Sequence, residues 1–167
     1  MSARLATAIR IYDAARSILR KTLTFEDSGF AQSDDWEEYN HIGVEPMLLA
    51  LSMELALKAW LVFDINDAKR IQSHDLIDLF ERLTPESQEK LDTEFKRSVR
   101  PAHPNGLFLD YGIRHLLYQH KSAFVDWRYL HEGGKSMKFE QGAFTATLEM
   151  VLREFRKRYR VVPANLR

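Results

Sequence analysis

"VEPMLLALSMELALKAWLVF", residues 44–63, predicts the central helix of a bundle. The segment is apolar on nearly every side and is broken mainly by Ser52, Glu54 and Lys58. A helix that is hydrophobic all round is usually buried, and Pro46 suits its first turn. Its length would also cross a membrane, but Glu54 and Lys58 near its middle argue against a membrane span.

An amphipathic helix and an acidic segment precede this central helix. Apolar residues at three- and four-residue steps predict a helix from about Ser2, a suitable N-cap, to about Lys21. The stripe consists of Leu5, Ala8, Ile9, Tyr12, Ala15 and Leu19. The acidic segment between residues 24 and 45 then contains seven carboxylates and no Lys or Arg. It is long for a structureless connection, so we expect it to be functional, mobile or partly helical.

Two helices are predicted directly after the central one. "SHDLIDLFERL", residues 73–83, predicts a helix with Ser73 as its N-cap and Asp75 at the positive end of the helix dipole. Thr84 and Pro85 predict a stop and a restart, because threonine can cap a helix and proline suits the first helical position.

The C-terminal part of the chain predicts two longer helices. The first runs from about Asp110 toward His131, where two glycines follow, and the second from about Gly142 to about Arg160. No segment has the alternating pattern of a strand. The sequence therefore predicts a single all-α domain over residues 1–167, a bundle of five to six mostly antiparallel helices.

Composition excludes several classes of site. The chain has no cysteine, which excludes disulfides and Cys-based zinc or redox centres. Six histidines are present, but there is no HExxH motif, and neither a metal nor a cofactor is expected. The N-terminus has charges every few residues instead of the apolar core of a signal peptide, so we expect a cytoplasmic protein.

Charge is unevenly distributed although the net charge is zero. Residues 153–160 contain five cations and one glutamate, and the first helix is also basic. One interpretation is that the acidic segment and the basic helices offset each other on one surface. The other is that the basic helices form a phosphate-binding face.

Arginine and histidine in the helix from Asp110 are candidates for chemistry. On a continuous helix, His120 and His131 share a broad stripe with apolar residues, and Arg114 and Arg128 share the neighbouring one. One interpretation is structural, with histidines at the edge of the core and arginines snorkelling to water. The other is an Arg/His site, because arginine binds phosphate bidentately and histidine moves protons near neutral pH. Such a site could hold a nucleotide or cut RNA without metal.

Three motifs resemble the HEPN domain family, whose members are all-α, nucleotide- and RNA-associated bacterial proteins and are usually dimeric. "LALSMELALKAWLVF" resembles the family's Glu-x-x-x-Lys helix, "HDLIDLFERL" its His-(Ser/Asp)-Leu helix start, and "WRY" the Arg-Tyr pair before its last helix. The resemblance covers roughly residues 1–160. It implies a homodimer that binds a nucleotide or RNA, without a membrane, in a toxin–antitoxin or stress-defence system. It also implies a minimal nucleotidyltransferase as a possible partner.

The resemblance also implies which residues serve the site. The ligand-binding candidates are Glu54, Lys58, His74, Asp75, Arg128 and Tyr129, to which we add Glu132 because it lies in the same polar stretch as Arg128. Many family members are metal-independent endoribonucleases that use an arginine and a following histidine. The catalytic candidates would then be Arg128 and His131 or, from an upstream match to the family spacing, Arg114 and His120. A ligand-free protein-interaction module is the third alternative.

Two of these pairs have a structural interpretation as well. Glu54 and Lys58 are four residues apart in the favoured order, so they could be a buried ion pair that fixes the register of the bundle. His74 and Asp75 could instead form the capped start of a helix.

Overall fold

In a computed structural model of the chain, residues 3–28, 43–65, 72–102, 110–128 and 138–159 are described, and all of their regular structure is helical. The helices are α1 Ala3–Ser28, α2 Val44–Asp64, α3 Leu76–Glu81, α4 Pro85–Ser98, α5 Ile113–Gln119, α6 Ala123–Arg128 and α7 Gln141–Arg156, with a short 3-10 helix at Arg100–Ala102. The predicted all-α bundle is confirmed.

Helix α2 is the centre of the bundle, as predicted. It contacts α1, α3, α6 and α7, and most of its side chains are buried. Trp60 is fully buried, and its Nε1 donates a hydrogen bond to the carbonyl of Val151 in α7 at 3.2 Å. Ser52, one of the polar interruptions, donates from its hydroxyl to the Ala15 carbonyl of α1 at 2.8 Å. Helix α2 is apolar and long enough for a membrane span, but 61% of its most apolar stretch is buried inside the bundle.

Local signals set the helix starts, with one correction. Thr84 caps α4 by accepting a hydrogen bond from the Ser87 backbone at 3.3 Å, and Pro85 is in the first turn, as predicted. The prediction that Ser73 caps α3 is wrong. Asp75 is the N-cap, and its Oδ1 accepts from the backbone nitrogens of Ile77 at 2.9 Å and Asp78 at 3.1 Å.

The single helix predicted from Asp110 toward His131 is broken in the middle. Helix α5 ends at Gln119, a turn follows at residues 120–122, and α6 begins at Ala123. The Lys121 carbonyl in this turn accepts a hydrogen bond from the Leu76 backbone at 3.0 Å instead of a bond within a helix. The break therefore joins the start of α3 to the junction of α5 and α6, and it removes the shared helical face expected for the arginines of α5 and α6.

An ion pair fastens the end of α2 to the segment after α7. Asp64 Oδ1 lies 2.7 Å from Arg158 Nη1, and these side chains are 3% and 21% exposed. The Ser87 hydroxyl of α4 donates to Asp64 at 2.6 Å. The Arg158 guanidinium also lies 4.6 Å from the Trp60 ring and 4.2 Å from the Phe63 ring. This Asp64–Arg158 pair thus connects α2, α4 and the C-terminal end of α7.

Candidate functional site

The deepest member of the candidate site is a buried carboxylate on α2. Glu54 is only 2% exposed. The Lys58 ammonium, one turn later, donates to Glu54 Oε1 at 2.6 Å. His74 Nδ1 lies 3.1 Å from both oxygens of the same carboxylate. The Lys58 side chain is 14% exposed and the His74 side chain is 63% exposed. The histidine therefore contacts the buried carboxylate on one side and solvent on the other.

The backbone that carries His74 is fixed on both sides. The Ser73 hydroxyl accepts a hydrogen bond from the Asp75 backbone at 3.2 Å, and the Asp75 carboxylate caps α3. A hydrogen bond from Ser73 is the main cause that lowers the pKa of Asp78, and Arg82 contributes further. Asp78 therefore stays ionised at neutral pH. Asp75 has the structural role that the sequence left open, because its Oδ1 is used for the cap.

Helix α6 adds an aromatic ring and a cation beside the histidine. The Phe124 ring centre lies 5.9 Å from the His74 ring centre, and the Arg128 guanidinium lies 5.8 Å from the Phe124 ring. Arg128 is exposed and Phe124 is half-buried. We call Glu54, Lys58, His74, Phe124 and Arg128 together the Glu54 cluster.

The tautomer of His74 follows from its partner. A carboxylate only accepts hydrogen bonds, so Nδ1 of His74 donates to Glu54. A neutral imidazole then keeps Nε2 as an acceptor, whereas a protonated ring has a second donor there. The Glu54 cluster can therefore present an imidazole of fixed orientation, the face of an aromatic ring and a guanidinium.

The upstream pair, Arg114 and His120, is not brought together in this way. Arg114 is 67% exposed and forms an ion pair with Glu81 of α3. His120 is 5% exposed, and its ring lies 4.8 Å from the Phe139 ring and 5.3 Å from the Phe144 ring. One residue is on the surface and the other is in the aromatic core, so they do not form one solvent-facing site.

Three predicted site residues, Tyr129, His131 and Glu132, lie outside the described residues. Sequence reasoning missed Phe124 as a member of the site, because on a continuous helix it is one of the apolar residues of the stripe that contains His120 and His131. The i,i+4 spacing between Phe124 and Arg128 is the signal that could have indicated it. Among the described residues, no three His, Asp or Glu side chains are grouped as metal ligands.

Comparison with known proteins adds no relative. No protein-family profile matches the chain, and no curated protein and no solved structure matches it. The HEPN resemblance therefore stays a prediction that rests on the three sequence motifs.

Proposed function

We propose that the protein is an HEPN-like helical module that binds a nucleotide or RNA at the Glu54 cluster. The observation that supports this proposal is the row formed by His74, Phe124 and Arg128, in which both end residues are exposed and Phe124 is half-buried, with ring and guanidinium separations of 5.9 and 5.8 Å. A guanidinium binds a phosphate through two parallel hydrogen bonds. When Arg128 turns to a phosphate, the Phe124 ring that it now covers can stack on a base of any identity. The two groups are the minimum for recognising a nucleotide.

The buried members of the cluster would act through His74. Glu54 is too deeply buried to touch a ligand, but its carboxylate orients the imidazole. Asp75, as the N-cap of α3, would help to position the backbone of the neighbouring His74. A toxin–antitoxin or stress-defence role, with a minimal nucleotidyltransferase as partner, belongs to the same proposal and rests on the HEPN resemblance.

A metal-independent endoribonuclease is the second candidate. The bond from His74 to a buried carboxylate favours it, because that arrangement holds an imidazole ready to take or give a proton. Cleavage of RNA that persists in EDTA would support the nuclease, whereas binding without cleavage would support the module.

Arg128→Ala is expected to weaken nucleotide binding. One charge-assisted contact to phosphate is worth about 1.5–3 kcal/mol, which corresponds to roughly a ten- to hundred-fold loss of affinity. Arg128→Lys should recover only part of the affinity, because an ammonium cannot make the bidentate contact. Titration calorimetry with UMP and fluorescence anisotropy with a labelled oligouridylate of about fifteen nucleotides would measure both variants.

Arg114→Ala is the matched control for this experiment. It also removes one exposed arginine, but that arginine pairs with Glu81 outside the Glu54 cluster. Equal affinities for Arg128→Ala and Arg114→Ala would contradict the proposed site. A lower melting temperature of Arg128→Ala with unchanged affinity would indicate a structural role. If the wild-type protein neither binds nor cleaves RNA, the remaining interpretation is the ligand-free protein-interaction module.

We also propose that the chain is a homodimer. Met47, Leu48 and Leu51 form a partly exposed apolar stripe on α2, which suits a symmetric contact. Light scattering at micromolar concentration should therefore give twice the chain mass of 19.5 kDa. A single-chain mass under these conditions would contradict the dimer.

A further inference from the structure

A basic groove runs between α1 and α7, and it shares no residue with the Glu54 cluster. The groove encloses about 520 Å³. Its walls come from one face of each helix, with Arg16 and Arg20 on α1 and Arg153, Arg156 and the following Lys157 on the α7 side. Tyr12 stacks on Phe155 with ring centres 5.3 Å apart, which is a direct contact between the two helices.

Cations dominate the walls of this groove. Five arginine or lysine side chains face one glutamate, Glu149. Arg153 shares Glu94 with Arg97, and Lys157 pairs with Glu154 at 2.6 Å, so these two charges are partly balanced.

Arg16 and Arg20 are exposed, and among the side chains that the structure describes no carboxylate forms an ion pair with either guanidinium. The pKa of Tyr159, near the end of the groove, is raised mainly by burial, so this phenol adds no negative charge at neutral pH.

The floor of the groove indicates what kind of ligand fits. Tyr12, Leu19 and Leu152 are each 5% exposed, so little apolar surface is left for a docking peptide helix to bury. Since the groove offers little apolar surface, the five cations in its walls are its main means of attracting a ligand. Four of the five cations are arginines, whose planar donors match phosphate oxygens. At 1.5 Å per residue, the α1 wall from Tyr12 to Leu23 extends for about 16 Å, enough for several phosphates of one strand.

We propose that the α1–α7 groove binds the phosphate backbone of single-stranded RNA. Arg16 and Arg20 on one wall and Arg153, Arg156 and Lys157 on the other contact successive phosphates. Most polar side chains that line the groove are cations, which suit phosphates and not base edges, so we expect binding to depend little on sequence. This site is separate from the Glu54 cluster, and binding in the groove does not require the cluster. A strand that occupies both sites would show that the ligand is RNA and not a free nucleotide.

The double variant Arg16→Gln/Arg20→Gln tests the groove. Both residues are exposed, so their replacement leaves the core and the ion pairs of α7 intact. Affinity for the oligouridylate should fall about ten-fold, and the slope of log affinity against log salt should become shallower by about 1.4, or 0.7 for each lost phosphate contact. The control Arg4→Gln/Arg10→Gln removes the same charge from exposed positions of α1 outside the groove and should change affinity less than two-fold.

The other outcomes decide between specific alternatives. Equal losses in the two double variants would overturn the proposal, because binding would then depend on diffuse charge. A polyglutamate that competes as well as the oligouridylate would overturn it in favour of an acidic protein partner. UMP affinity should be unchanged in Arg16→Gln/Arg20→Gln and reduced in Arg128→Ala. Loss of strand binding only in the groove variant would therefore support the groove even if the Glu54 cluster fails its own test.

Discussion

Arg158→Ala is expected to lower the free energy of unfolding by about 3–5 kcal/mol, the usual cost of removing one partner from a buried ion pair. The change leaves the Asp64 carboxylate, which is 3% exposed, without its cation. Only weaker hydroxyl contacts, chiefly that of Ser87 at 2.6 Å, remain to stabilise its charge. The stacking of the guanidinium on Trp60 and Phe63 is lost as well. Urea unfolding followed by circular dichroism would measure the loss.

Arg156→Ala is the control for this prediction. Arg156 is exposed, and its contacts are with the carbonyl and the ring of Tyr159, so its loss should cost under about 1 kcal/mol. The double variant Asp64→Asn/Arg158→Ala should lose less stability than the sum of the single changes, because the buried charge is gone. Equal destabilisation by Arg158→Ala and Arg156→Ala would show that the ion pair contributes nothing beyond a surface contact.

The second large effect is expected for Lys58→Met. Removal of the ammonium leaves Glu54, which is 2% exposed, with His74 as its remaining partner. We expect a loss of about 3 kcal/mol, the lower end of the range for a broken buried pair, because His74 still donates to the carboxylate. Glu54→Gln/Lys58→Met should recover most of this stability, since a neutral amide and an apolar chain of similar volume replace the two charges.

The variant Glu54→Gln/Lys58→Met also distinguishes the two roles considered for Glu54 and Lys58, which are ligand binding and fixing the register of the bundle. We expect UMP affinity to fall about ten-fold even though stability is recovered, because His74 then donates to a neutral amide, and bonds to charged groups are stronger by about 1 kcal/mol or more. Wild-type affinity in a stable double variant would mean that Glu54 and Lys58 only set the register of the bundle. Thermal melts and UMP titrations on the same preparations would compare the two quantities.

Local sequence signals predicted most helices well, missed that α1 continues past Lys21 to Ser28, and failed where two signals compete. The apolar 44–63 segment and the Thr84–Pro85 boundary lie where predicted, because burial pattern and capping act over a few residues. Ser73 and Asp75 are both good caps two residues apart, and only the Asp75 carboxylate reaches the backbone of α3. The break after Gln119 has no glycine or proline to indicate it. It coincides with the bond from the Leu76 nitrogen to the Lys121 carbonyl, a contact between distant segments.

The sites required information that no local pattern contains. The sequence predicted Glu54, Lys58, His74 and Arg128 as candidates, but the contact of His74 with Phe124 depends on how α6 packs beside α3. The basic character of α1 and of residues 153–160 could be read directly, whereas their meeting in one groove requires the packing of Tyr12 on Phe155. The Asp64–Arg158 pair was not predicted at all, since nothing near either residue indicates its partner.

The bond between Trp60 and Val151 has a consequence for the order of folding. These residues are 91 positions apart in the chain, whereas α1 and α2 are sequence neighbours that contact each other directly. Loop closure over a long separation is slow, so α1 and α2 can pair early while α7 docks late. During synthesis the indole nitrogen of Trp60 therefore lacks its Val151 acceptor until α7 has left the ribosome. Because interactions formed late mainly retard unfolding, the Asp64–Arg158 pair should govern how long the folded protein lasts and not how quickly it forms, and stopped-flow rates of Arg158→Ala would register this as faster unfolding.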